Sequence, residues 1–185
     1  MNKIDEGSIH ITLTYMVLVW IALFWCVLLQ LVRAEYTGHF IEDCLTQANL
    51  AAIVVDPYHY GRTGELRFKD VRETKLLFEE FLEESLGDEE NREKLGIAGP
   101  IVLQEFRVYE VTESGITEAV FDDRGVHTCW YDPDTMVKAP DDTIIHESAL
   151  YSRIEVPVKF MFNIEVKEIK EHCVDIKGEV EDEQS

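Results

Sequence analysis

Hydrophobic and polar positions divide the chain into a continuous apolar run, an amphipathic continuation, and a long stretch of strand-like alternation. From Ile9 to Val32 there is no Asp, Glu, Lys or Arg, and Met16 to Leu29 is almost wholly apolar, with Trp20, Phe24 and Trp25 inside it. About 20 helical residues at about 1.5 Å each cross a hydrocarbon core of about 30 Å, so this run is long enough to span a bilayer. Beyond Arg33, Tyr36, Phe40, Cys44, Ala48, Ala52 and Val55 recur close to every fourth residue, while Glu35, His39, Glu42, Asp43, Gln47 and Asn49 fill the other faces. The helix is expected to end at Asp56-Pro57, because proline disfavours helix at the residue before it and donates no hydrogen bond. One rod over 8–55, about 70 Å long, is predicted, half in lipid and half above it covering a sheet.

A cleaved secretory signal is the competing account, since Val32, Arg33 and Ala34 place acceptable residues before Glu35. Against it, the apolar run exceeds the usual core of about 7–15 residues, and Asp5 and Glu6 accompany Lys3 in the leading segment. Retention of the segment is therefore expected, with the short N-terminal tail cytoplasmic and the body outside.

The remainder predicts an outer α+β domain over 56–178. Tyr58 to Phe68 reads as a loop. Asp70 is a candidate N-cap for a helix whose apolar stripe is Val71, Thr74, Leu77, Phe78, Phe81, Leu82 and Leu86, stopped by Gly87. Residues 88–94 read as a charged loop. Strands are expected at about 101–111, 116–122 and 126–131 from β-branched and aromatic enrichment between turn signals. Ile154, Val156, Val158, Phe160, Phe162, Ile164 and Val166 alternate with polar partners, which requires one buried face; Pro157 places that strand at an edge or at a bulge. A last strand over 173–177 precedes an acidic tail, 179–185, with the composition of a disordered segment. The fold class is α+β: a long transmembrane-plus-amphipathic helix packed on a C-terminal antiparallel sheet.

Charge sharpens this division. The formal net charge of −20 arises from 17 Lys+Arg against 37 Asp+Glu, and all of it falls after Arg33. Such a body repels nucleic-acid phosphate and anionic lipid headgroups and lacks the basic footprint that either requires, so neither is expected as a partner. Four cysteines are too few for a disulfide scaffold and none has metal-ligand spacing. A Cys129–Cys173 bridge is open in an oxidising compartment if their Cα atoms approach within about 7 Å. No nucleophile elbow, phosphate loop or zinc-protease helix is present, and His59, His127, His146 and His172 are isolated, so no catalytic residue, metal or cofactor is assigned. Asp132, Asp134, Asp141 and Asp142 form the best of the weak calcium candidates, with solvated loop acids the favoured reading.

The chain resembles the TadE-like pseudopilins and minor pilins of tight-adherence pili. The resemblance rests on Glu6-Gly7-Ser8 before the apolar run, the spanning-plus-amphipathic helix, the segment Gln47-Ala48-Asn49-Leu50-Ala51-Ala52, and the C-terminal sheet. It implies a leader, 1–7, cut after Gly7 by a prepilin peptidase to expose Ser8. It also implies partners among membrane lipids and other pilin-like or secretion-system subunits, with Trp20, Phe24 and Trp25 available to neighbouring helices and Ala22 and Gly38 allowing close approach. The family usually places a glutamate where this chain has Thr12, and a threonine offers a hydroxyl without the charge. A structural subunit acting by assembly is the expected function; a membrane-tethered adhesion or ligand-binding module that joins no filament is the alternative.

Overall fold

The structure, a computed structural model, describes residues 3–63, 67–87, 89–122, 125–159 and 164–176, with backbone only over 3–9. Helix α1 runs from Lys3 to Ala52 without a break. It starts before the predicted residue 8, so Lys3 to Gly7 of the expected leader and the Gly7-Ser8 step are helical. It ends three residues short of Val55, because Val55 instead pairs with Phe68 in a β-bridge flanked by Lys69 N–H to Val54 O (3.0 Å) and Asp56 N–H to Arg67 O (2.8 Å).

Two short helices replace stretches predicted as loops. The Asp56 carboxylate accepts from the N–H groups of Tyr58 and His59 at 2.9 and 3.2 Å, and Pro57 occupies the first turn, where no donor is needed, so α2 forms over Pro57–Thr63. The other is α4, Glu89–Leu95, in which acids occupy the first turn and Arg92 and Lys94 the last, as the helix dipole favours. Between them lies α3, Val71–Leu86. Its cap is the predicted one, with Asp70 accepting from Arg72 N–H at 2.8 Å, and Gly87 closes it at φ 74°, a conformation that glycine adopts without strain.

Five strands, β1 (Val102–Thr112), β2 (Gly115–Asp122), β3 (Gly125–Tyr131), β4 (Ala149–Lys159) and β5 (Glu165–Asp175), form one antiparallel sheet in the order β3-β2-β1-β4-β5. The alternation read as a single strand through Val166 is instead a hairpin. Its register pairs Val158 with Val166, and paired residues share a face, so the same in–out parity runs through both arms. Phe160, Phe162 and the acidic tail 179–185 lie outside the described residues.

Strand β4 is interior, not the edge that Pro157 implied. The Pro157 carbonyl accepts from Ala98 N–H at 2.7 Å, so its missing donor faces that short 96–98 segment rather than β5. The register shift in this part of the sheet lies on β1, between Leu103 and Glu105.

The outer half of α1 and the stripe of α3 cover one sheet face. Phe78 sits against Phe106 with ring centroids 5.1 Å apart, and Phe106 meets Phe121 edge-on at 5.5 Å. Ile41, Leu45, Ala48, Val108, Leu150, Ile154 and Val156 complete this core. On the opposite face the segment 132–148 folds back, and Val137, Ala139 and Ile145 bury Tyr109, Ile116, Ala149 and Tyr151.

Candidate functional site

The two halves of α1 differ completely in environment. Its apolar segment is long enough to cross a bilayer, and none of its most apolar window is buried within the chain. Trp20, Phe24 and Trp25 are 67%, 63% and 60% exposed. Apolar residues occupy every side of this stretch, so no polar face remains to meet water; a helix of that kind belongs in lipid or against other apolar helices. Thr12 lies in the exposed first part of the rod, and the Gly7-Ser8 step is continuous helix.

Beyond Val32 the same helix is fastened to the head. Arg33 Nη2 donates to Lys94 O at 2.7 Å, and Thr37 Oγ1 donates to Leu95 O at 2.7 Å. These are carbonyls of the last turn of α4, which have no partner within their own helix. Thr37 is buried, and farther along Ile41, Cys44, Leu45, Ala48 and Ala52 form a seam at helical spacing. Gly38 serves the head rather than a neighbouring subunit: a Cβ there would stand 3.4 Å from both Glu168 Oε1 and Lys170 Nζ. Lys170 bonds Glu42 at 2.7 Å across the helix–sheet boundary, and this bond holds the Glu42 carboxyl below its ordinary pKa. Deeper in the seam, Asn49 accepts from Ser152 Oγ at 2.8 Å and donates to His172 O at 3.3 Å.

On the far sheet face a second polar set surrounds Glu118, which accepts from Tyr131 OH at 2.7 Å, Arg107 Nη1 at 2.7 Å and Tyr109 OH at 3.1 Å. Arg107 also bonds Glu105. Burial alone would raise the Glu118 pKa, but bonds from Tyr131, Arg107 and Tyr109 outweigh it and hold the carboxyl below the ordinary value. The tyrosines respond in the opposite sense: the Glu118 bond pushes Tyr131 up to about 12, and burial drives Tyr109 upward as well. An ionised carboxylate with three donors, ringed by tyrosines that stay protonated, locks β1, β2 and β3 together.

Cys129 on β3 and Cys173 on β5 occupy opposite edges of the sheet, four strand spacings of about 4.8 Å apart, so they cannot bridge across it. All four cysteines are free. Burial pushes the Cys173 thiol up to about 12. Asp132, Asp134, Asp141 and Asp142 do not converge; among the described residues no group of three His, Cys, Asp or Glu side chains is placed to hold a metal ion. Asp141 caps its own loop by accepting from Thr143 N–H at 3.2 Å, and Asp142 lies 3.7 Å from Lys138 Nζ.

A cavity of about 330 Å³ opens between the end of α1 and this loop, lined by Leu50, Ile144, Ile145, His146, His172 and Cys173 among others. No local pattern announces it, because its walls come from three distant segments. Comparison with known family models, characterised proteins and solved structures finds no match to the chain.

Proposed function

We propose that the chain is a single-pass membrane-anchored structural subunit that works by assembly, as a pilin-like component of an envelope filament or secretion apparatus. One observation carries the reading: a single unbroken helix is bare and apolar over its first half and bonded into a sheet domain over its second. A tether needs only a span and a flexible link. Continuity between the span and the head holds the two in a fixed relation, which a subunit requires if its rods are to pack side by side while the acidic heads face outward. In this reading Gly7-Ser8 is the processing step, and Trp20, Phe24 and Trp25 meet lipid or neighbouring rods.

Cys26 supplies the test, since it lies exposed within the rod. Oxidative cross-linking in native membranes is expected to give a Cys26-dependent adduct with a second rod, and mass spectrometry a mature chain beginning at Ser8. An uncross-linked chain that also purifies without partners would refute assembly. An intact Met1 would remove processing alone.

The tethered ligand-binding module is the second reading, favoured by the 330 Å³ cavity at the end of α1 and by Thr12, which lacks the charge expected of a filament contact. Monomeric behaviour in detergent together with retention in the membrane would favour it.

A further inference from the structure

We propose that a cavity beneath the head binds the phosphate of an anionic phospholipid headgroup, an inference that rests on α1 spanning the membrane. The cavity measures about 730 Å³ and lies where α1, α4 and the end of β4 meet. Among the described residues three cations line it, Arg33, Arg92 and Lys159, together with two carboxylates, Glu89 and Glu93. A small excess of positive charge therefore stands in a chain whose net charge is −20.

The state of the cations gives the cavity its chemistry. Elsewhere Lys69, Lys75, Lys94, Lys167 and Lys170 each contact a carboxylate. Arg92 and Lys159 have no ion pair among the described residues, although Glu89 and Glu93 share the cavity with them. The Arg92 Nε is moreover buried without a hydrogen-bond partner among the described residues. A guanidinium is always charged and its planar donors match phosphate oxygens, so Arg92, which lines the cavity without an ion pair, is suited to a bound phosphate. Gly96 makes room for the arrangement. At φ 85° it passes between Arg33 and β4, where a Cβ would stand 3.4 Å from both Arg33 Nη2 and Lys159 O.

Position selects the source of that phosphate. Gln30 and Arg33 line the cavity, and Val32 between them is the last residue of the apolar run. The headgroup layer adds about 5–7 Å on each side of the hydrocarbon, the rise of about four helical residues. With α1 inserted, the cavity opens at headgroup depth.

The test uses the full-length protein in neutral detergent, with melting followed against dioctanoyl phosphatidylglycerol, dioctanoyl phosphatidylcholine and inorganic phosphate. The wild type is compared with an Arg92→Gln, Lys159→Gln double variant. Phosphatidylglycerol is expected to raise the melting temperature saturably and the other two to leave it unchanged. The double variant is expected to need at least tenfold more lipid for half the effect, with an unchanged melting temperature in detergent alone. Should it melt lower without lipid, Lys159→Gln alone, at an exposed position, is held to a threefold shift. Equal responses to both lipids, or variants that saturate like the wild type, would overturn the site. A full response to inorganic phosphate would reassign it to a free anion and overturn the lipid. Alkaline carbonate extraction of the same protein reports on the span separately, so failure of the span and failure of the headgroup response are told apart.

Discussion

Ser152 and Asn49, 103 residues apart in sequence, form a side-chain hydrogen bond of 2.8 Å, and both are fully buried. The Asn49 amide also reaches His172 O, so one carboxamide joins α1 to β4 and β5 at once. Removing it strands the Ser152 hydroxyl in a closed core. Asn49→Ala is expected to cost about 2–3 kcal/mol. In a chain of this size that lowers the melting temperature by roughly 6–9 °C, measured on the full-length protein in detergent. A change within about 1 °C would show the bond to be idle.

Ile21 lies at the middle of the exposed apolar segment, with about half of its surface open. If the segment spans a bilayer as proposed, a charge there would fall at its centre, where Arg costs about 2.5–3.5 kcal/mol on insertion scales. Ile21→Arg is expected to shift protein from the carbonate-resistant pellet to the supernatant while the head, fastened through contacts such as Arg33 to Lys94 O, stays folded. Unchanged pelleting would argue that the segment does not reside in lipid.

Glu118 makes stability depend on acid. Its folded pKa lies below its ordinary value, so its contribution is complete above the ordinary carboxylate range and is lost as pH falls through that range to the lowered one. Denaturation midpoints are expected to hold between pH 7 and about 5 and to fall below about 4.5. Glu118→Gln is expected to lower stability at neutral pH and to flatten that acid limb. An acid limb as steep in the variant as in the wild type would assign it to other carboxylates.

Thiol chemistry should sort the cysteines by position. Cys129 is exposed, whereas burial pushes Cys44 up to about 11 and Cys173 up to about 12. Only thiolate reacts, so a water-soluble maleimide at pH 7.5 is expected to modify Cys129 within minutes and the other two only after denaturation. Equal labelling of Cys173 in the folded state would contradict its burial.

The helical rod, the α3 cap at Asp70 and the first three strands were legible because each is a local pattern: a period, a capping residue, a turn signal. The β4–β5 hairpin was not, since its register keeps the parity of a single strand. Short helices α2 and α4 escaped because seven residues hold too few turns to show a period, and only their caps and end charges mark them. Pro157 misled by implying an edge, when only one side of a strand needs to lack a donor. The cavity cations at 33, 92 and 159 share no local signal at all and meet only through the fold.

The grip of Arg33 and Thr37 on the end of α4 leaves no swivel between the bare half of the rod and the head. A membrane-spanning helix settles its tilt according to the thickness around it, by about 20° on average. Here such a change would be transmitted whole: a further 10° or so would carry Ala52, about 30 Å along the axis from Arg33, sideways by about 5 Å. Under the proposed membrane-spanning reading, the aim of the head would thereby be geared to the thickness of the sheet of lipid around its shaft.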